Sequence, residues 1–554
     1  MMRERDMKVL SPFLTILVLF MLLTPGKVWA FYPDNSYLED RQVLDELTRA
    51  AFNYIWEEGE PNSGMVYEAD FGWEVKPVAV GGTGFGVAAV VAAVDRGWVG
   101  RDAAVERLLK ICVFLRDKTE RQRLHGAFPH WLNGATGEII AFGKNDDGAD
   151  IVETSLLMQG LLIARAYFNG PGSEKELRDI ITQLWEEVDW NWFTNGEENG
   201  LYWHWSPTKG YTGLKILGYN EALITYVLAA SSPTHPISRK AYDYWTSGRG
   251  YKPKTVFGYK LEASLNGGGP LFLTHYSFVG LDPRRLADKF VPNGYFVRNL
   301  TQVLSNRGYC LYEAPAANRY SSNFWGLTAS QIKDDYAASD PLNDKGVVAP
   351  TAALSSIVYT PFYALEVLHN LKENFGGRAW GRFGPYDAIS LRDDWISPHT
   401  LAIDQLPIVC MAENFRSGLL WRLFMDDVDV RRGLEKAGIT DPQLEEGFPE
   451  AVVTLRKDGK KYLPDAYDIV RHPDSGLYEI PFWRAEEGRV TFSFIEPAGG
   501  QTVLTMEVEA KKGRNKLTFN QFRRKSSAVL QLIMSAAGDD GESGRTYSLP
   551  VRLN

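Results

Sequence analysis

Between about Glu39 and Asp426 the chain returns repeatedly to one pattern: a stretch of helical apolar spacing, then a long loop rich in Gly, Trp and Tyr. In Arg41–Glu57 the apolar positions are Val43, Leu44, Leu47, Ala51, Tyr54 and Ile55, which fall on one face of a helix. The same spacing predicts helices over Gly84–Asp95, Ala103–Arg116, Ile151–Phe168, Glu174–Val188, Glu221–Ala230, Pro236–Tyr244, Tyr295–Ser305, Thr351–Val358, Phe362–Phe375 and Ile403–Phe424. Several are apolar nearly all round, the mark of a helix buried on every side. A chain with about a dozen helices, some wholly buried and some amphipathic, predicts an all-α (α/α)6 barrel (toroid), one ring of helices inside another. No repeat of solenoid length is visible, which argues against an open superhelix. Long loops such as Asn195–Lys215, Phe257–Asp282 and Gly308–Val348 are where a compact domain places its chemistry.

After about Gly447 the texture changes. Arg489–Pro497, Thr502–Ala510, Lys516–Phe519 and Val529–Ile533 alternate or are β-branched, with Gly- and Pro-containing turns between them. The expected organisation is a helical domain over 31–440 and a small C-terminal β-sandwich-like accessory domain over 448–554. Residues 1–30 read as a secretory signal. Arg3, Arg5 and Lys8 are its positive region, Leu10–Leu23 its apolar run, and Val28-Trp29-Ala30 its cleavage site. The expectation is therefore a periplasmic or secreted protein with no stable membrane span after signal cleavage.

A net charge of -9 without a basic stripe argues against nucleic acid as a partner. The three cysteines are isolated and the eight histidines form no HExxH, so neither a metal nor a cofactor is expected. The Gly81-Gly82-Thr83-Gly84-Phe85-Gly86 run is not GxGxxG and follows no predicted strand, which excludes a dinucleotide site; GxSxG and Walker patterns are absent.

The chemistry concentrates elsewhere. Asp146, Asp147 and Asp150 crowd a glycine-containing turn, and Glu153 follows in the next helix. Like charges so close raise one another's pKa unless a cation or a substrate separates them, and carboxylates of different pKa are what glycoside hydrolysis uses. Read structurally, Asp150 is a helix N-cap and Glu153 its capping-box partner. Glu221, in Gly218-Tyr219-Asn220-Glu221, opens a second apolar helix. Flat rings and polar groups suited to sugar binding surround these blocks: Trp131 beside His130, then Trp203, His204 and Trp205, His275 and Tyr276, Trp325, and Gln405 beside Asp404.

The blocks GGTGFGVAAVVAAVDRGW (81–98), HGAFPHWLNGATGEI (125–139), DDGADIVETSLLMQGLL (146–162), GYNEA (218–222), GGGPLFLTHYSFVGLDPR (267–284), NFWGLTAS (323–330) and IDQLPIVCMAENFRSGLLWRLFM (403–425) together resemble the glucoamylase-like family. Within it they are most similar to glycoside hydrolase family 144, the bacterial β-1,2-glucanases. The resemblance spans about residues 38–430 and leaves out the β region. It implies an (α/α)6 barrel and inverting hydrolysis of β-1,2-glucans, by endo or sophorose-releasing action. It implies Asp146, Asp150 and Glu221 as the catalytic carboxylates, with Asp147 an adjacent candidate. His130, Trp131, Asp147, Trp203, His204, Trp205, His275, Tyr276, Trp325 and Gln405 are the expected substrate-binding set. Where the family reads DDGGD this chain reads DDGAD, with Ala149 replacing a glycine. The competing expectations are another carbohydrate reaction on the same barrel (transglycosylation, phosphorolysis or α-glucan hydrolysis) and a non-catalytic glycan binder.

Overall fold

The computed structural model describes residues 36–72, 74–520, 529–536 and 545–554. The predicted signal segment lies outside them. Among the described residues no helix is long and apolar enough to cross a membrane.

Thirteen α-helices are present among the described residues. They are α1 (Ser36–Glu58), α2 (Val80–Asp95), α3 (Arg101–Asp117), α4 (Ile151–Tyr167), α5 (Ser173–Glu186), α6 (Leu223–Ser231), α7 (Arg239–Thr246), α8 (Tyr295–Tyr312), α9 (Pro350–Ser355), α10 (Pro361–Asn370), α11 (Ala402–Arg416), α12 (Leu419–Met425) and α13 (Val428–Ala437). The stretch read as one helix over Ile403–Phe424 is two. Gly418 takes a φ of 64°, a left-handed conformation that breaks the helix between α11 and α12. Helix α13 was not predicted; its apolar residues are few, and its N-cap Asp427 accepts from the Asp429 and Val430 amides.

The apolar helices are the inner ones. Every residue of α2 from Val80 to Ala93, and of α4 from Ile151 to Ala164, is buried. They cross at bare backbone: a Cβ on Gly84 would lie 2.1 Å from the Leu156 carbonyl oxygen, and one on Gly160 1.9 Å from the Gly84 oxygen. The glycine-rich run thus serves close helix packing. Contacts run from α6 to α4, α2, α11 and α9, an arc of inner helices. The amphipathic α1, α3, α5 and α13 lie outside it, with α3 against α5, α1 against α11, and α13 against α6. The inner helices present their N-terminal ends to one side, and the loops entering them are the long ones.

The helical part has one hydrophobic core, running from Leu44 to Ile439, and the C-terminal part has its own, from Ile469 to Val551. The latter is a sheet ordered Tyr467–Ile469, Thr546–Leu553, Leu530–Ala536, Gly488–Ile495, Thr502–Ala510, facing a second pair, Tyr478–Arg484 and Gly513–Phe519. Inward residues alternate with outward ones, and Phe482 meets Phe492 edge to face at 4.9 Å across the gap. Asp474 of this part contacts Arg96 (3.4 Å) and Arg416 (3.9 Å), and the Tyr363 hydroxyl donates to Asp468.

Candidate active site

A cavity of about 1030 Å³ opens at the N-terminal ends of the inner helices. The turn before α4 forms one wall. Asp150 lies in extended backbone, and its Oδ1 accepts from the Val152 (2.8 Å) and Glu153 (3.0 Å) amides, so the residue is the N-cap that the sequence allows. Residues Ala149 and Asp150 pair antiparallel with Trp205 and His204 of the hairpin Tyr202–Ser206/Gly210–Lys215. Gly148 is needed for that approach, since a Cβ there would sit 2.3 Å from the Trp205 carbonyl oxygen. Ala149 is a strand residue, so a Cβ is tolerated at this departure from the family pattern.

The strand pairing brings two imidazoles onto the aspartates. His130 Nδ1 is 2.9 Å from Asp146 Oδ2 and 3.3 Å from Asp150 Oδ2. His204 Nε2 is 3.5 Å and 3.3 Å from the same two atoms, and the Trp203 indole donates to Asp150 Oδ2 at 3.3 Å. Burial opposes the charge on both imidazoles, but Glu153, Asp146 and Asp150 together raise His130 well above its usual range. Asp146 and Asp150 likewise bring His204 up to about 9. In return, although burial works against it, the two imidazoles hold Asp150 far below the ordinary carboxylate range. Every oxygen of Asp150 is engaged, whereas Asp146 Oδ1 has no hydrogen-bond partner.

Glu153 is not a capping-box residue. Its Oε2 accepts from the Gly81 amide of α2 at 2.7 Å, and Oε1 lies 4.0 Å from His130 Nε2. Burial pushes its carboxyl up to about 7.

Glu221 comes from the loop before α6. It sits in the turn ahead of the helix, not in the helix's first turn; the helix starts at Leu223. Gly218, at φ 90°, makes that loop possible, because a Cβ would lie 2.5 Å from the Arg249 carbonyl oxygen. The Glu221 carbonyl accepts from the Ser277 hydroxyl at 2.6 Å, and burial, with a smaller contribution from Asp150, pushes the side chain up to about 7. The cavity thus holds an aspartate kept ionised and two glutamates, Glu153 and Glu221, raised to about 7.

His130, Trp131, Asp146, Asp150, Trp203, His204, Glu221 and Tyr276 line the cavity; the other expected residues do not. Asp147 turns outward to an ion pair with Lys209. Trp205 points to the face of its strand opposite His204, against His125 and Trp192, as alternation requires; Trp203 reaches the cavity beside His204 through the register shift between Tyr202 and His204. His275 is buried behind the wall, 3.0 Å from the Ser356 hydroxyl, and burial brings it down to about 3. Trp325 is fully buried core, and Gln405 donates to the Phe383 carbonyl.

The sequence reading left out Glu68, Phe71, Phe142, Gln331, Tyr336 and His399, all of which line the cavity from separate loops with no motif spacing to mark them. Phe142 stacks on His130 at 4.1 Å. Asp404 lies buried behind Tyr276, whose hydroxyl donates to it at 3.2 Å, and faces Asp387. Burial raises both, Asp387 to about 6 and Asp404 further because of Asp387. Among the described residues, His130, Asp146 and Asp150 are the group that could hold a cation, with one ligand atom each within 4.8 Å of the others. Their contacts are those of a protonated imidazole between carboxylates, and a metal would have to displace that proton.

The Glycoamylase family model matches residues 213–428. An exo β-1,2-glucooligosaccharide sophorohydrolase (non-reducing end) of Parabacteroides distasonis is 39% identical over 424 residues, 72% of this chain, and the chain spans 58% of that protein's length. The solved endo-β-1,2-glucanase of Chitinophaga pinensis, in complex with sophorotriose and glucose, is 43% identical with a TM-score of 0.70, over 73% of this chain and 99% of that one. A solved β-1,2-glucanase of Parabacteroides distasonis is 38% identical with a TM-score of 0.68, over 74% of this chain and 61% of that one.

Proposed function

Because the chain belongs to the glucoamylase-like family and, within it, to the β-1,2-glucanases of glycoside hydrolase family 144, we propose that it hydrolyses β-1,2-linked glucans or gluco-oligosaccharides with inversion. In this reading the arc of inner helices belongs to a closed (α/α)6 barrel over 31–440, residues 448–554 are an accessory domain, and residues 1–30 direct export to the periplasm or beyond. The observation that carries the reading is one cavity holding two unlike carboxyl sites, Glu221 raised to about 7 and the imidazole-clamped aspartates of the turn before α4.

Inversion needs an acid that protonates the glycosidic oxygen and a base that takes a proton from water on the other face of the sugar. Glu221 is the acid, since a carboxyl raised to about 7 keeps a proton to give near neutrality; Glu153 is raised as far, but its Oε2 is tied to the Gly81 amide on the aspartates' own wall. Asp146 is the base, because on the aspartate turn its Oδ1 is the cavity-lining carboxylate oxygen without a hydrogen-bond partner. Asp150 and the two imidazoles are positioning residues that hold Asp146 by its other oxygen. Trp131, Trp203 and Phe142 offer ring faces to pyranose units. A second assignment of the base, to the Asp387–Asp404 pair, is favoured by the Tyr276 hydroxyl that joins Asp404 to the cavity, although the two carboxyls hydrogen-bond each other and burial raises both.

The test is purified protein on linear β-1,2-glucan, with product sizes followed by chromatography and the first-formed anomer by NMR. Sophorose or short β-1,2-oligomers released as the α-anomer is the expected result. Release of the β-anomer would overturn inversion; no cleavage of β-1,2-glucan, with turnover of another glucan, would overturn the linkage.

A further inference from the structure

The second large cavity, about 830 Å³, lies at the seam where α8, α10, α11 and α12 meet the β region. It is remote from the active site. Ile403 at one end of α11 lines the catalytic cavity and Phe415 near the other end lines the seam, about 18 Å apart at the rise of an α-helix.

The walls of the seam say what would fit. Each arginine and lysine on them is already paired: Arg284 with Asp282 (2.8 Å), Arg285 with Asp441 (3.6 Å), Arg514 with Glu450 (3.4 Å) and Lys516 with Glu479 (2.9 Å). No net charge is left to draw a phosphate or an acidic chain. Between the pairs stand half-buried rings, Phe362, Phe415 and Trp483, giving flat apolar faces beside hydrogen-bonding rims. Two polar atoms on the walls have no hydrogen-bond partner, Thr360 Oγ1 and His472 Nδ1. Thr360 is 5% exposed, and its hydroxyl has none. A buried hydroxyl without a partner costs free energy that a ligand's hydroxyl would recover. Flat rings, neutralised charges and an unmet hydroxyl are the recognition chemistry of a neutral, many-hydroxyl ligand.

We propose that this seam is a second, non-catalytic site for a short neutral oligosaccharide, held between the helical part and the β region. Which sugar it takes rests on the proposed activity; that it takes a sugar does not. Such a site would tether the enzyme to its polymer while the catalytic cavity works elsewhere on the chain.

The experiment titrates the full chain carrying Glu221→Gln with sophorotriose by calorimetry. Two molecules per chain are expected, and one after Trp483→Ala is added. A single molecule insensitive to Trp483→Ala, or no binding, overturns the seam site. One molecule lost with Trp483→Ala but kept with His204→Ala upholds the seam and instead counts against the proposed catalytic substrate. Thr360→Val guards against a merely misfolded Trp483 variant. Removing a hydroxyl that has no partner should leave Tm unchanged or higher, while weakening the second binding event by about fivefold, the worth of one hydrogen bond. A lower Tm with unchanged binding would show that the hydroxyl is structural. In an otherwise wild-type chain, Trp483→Ala should cleave short oligomers at the normal rate and long glucan more slowly at low concentration.

Discussion

The entrances to α4 and α6 each place a carboxylate on the same cavity, and the two are driven in opposite directions. Asp150 accepts two helix amides, two imidazoles and an indole, and is held far below the usual carboxylate range. Among the described residues no cation pairs with Glu221; burial dominates, and its carboxyl rises to about 7. Residue type decides neither role. The neighbours do, and here they come from separate parts of the chain: a strand pairing that delivers His204, and a glycine-kinked loop that places Glu221 where burial raises it.

The sharpest way to break this contrast is to neutralise each side in turn. Glu221→Gln should lower kcat by about 10³-fold or more with little change in KM, as loss of a general acid does. Activity within tenfold of the natural chain would remove Glu221 from the acid role. Asp146→Asn should cost about 10²–10⁴-fold, and added azide should restore turnover by replacing the activated water. If Asp404→Asn is the variant that azide rescues, the base moves to the Asp387–Asp404 pair.

Asp150→Asn separates positioning from chemistry. Asparagine caps a helix about as well as aspartate, so the fold should persist, with Tm lowered because two buried imidazoles lose a charged partner. The imidazoles lose one of the two carboxylates they share, so the His204 pKa, now about 9, should fall when followed by NMR, with kcat down by about 10–100-fold through a misplaced Asp146. An unchanged His204 titration would mean that Asp146 alone holds the ring.

The pH dependence sharpens the other half. Glu221 must be protonated to act, so kcat/KM should fall as pH rises through about 7. Its folded-state pKa lies above the unfolded value, so the carboxyl's contribution to stability is full at low pH and is lost as pH rises through about 7. Glu221→Gln abolishes that loss. Above pH 8 the inactive variant should be the more stable by about 2 kcal/mol, a figure kept below the full shift because the carboxyl opens onto the cavity. Equal stability there, by urea unfolding, would mean that the carboxyl is freely solvated.

Much of this was legible in the sequence, for reasons that can be named. Apolar spacing located the buried helices because a helix hidden on all sides can carry almost nothing else, as in α2 and α4. The aspartate turn and Glu221 stood out because charge at the mouth of an apolar run is costly without a use. The lining of the cavity was less readable. Trp203 and Trp205 look equivalent in sequence and would share a face in a regular strand, yet the register shift between Tyr202 and His204 puts Trp203 at the cavity with His204 while Trp205 points away. Trp325 and His275 belong to ring-rich loops like those at the site, but their loops pack inward and bury them. Glu68, Gln331 and Tyr336 meet only because distant loops converge, and no local pattern records that.

Asp147 provides the smallest expected effect and the finest test of the contrast. It is the immediate neighbour of Asp146 and chemically identical, so a reading by residue type gives both the same weight. In the structure the turn sends Asp147 outward to Lys209, whose ammonium holds its carboxyl below the usual range, while Asp146 faces the imidazoles. Asp147→Asn should therefore leave kcat within about twofold and Tm within about 1 °C, as an exposed ion pair contributes little. A loss of a hundredfold would show that the turn reverses when substrate binds and brings Asp147 in. The division of labour would then lie within the DDGAD turn as much as between the two helix entrances.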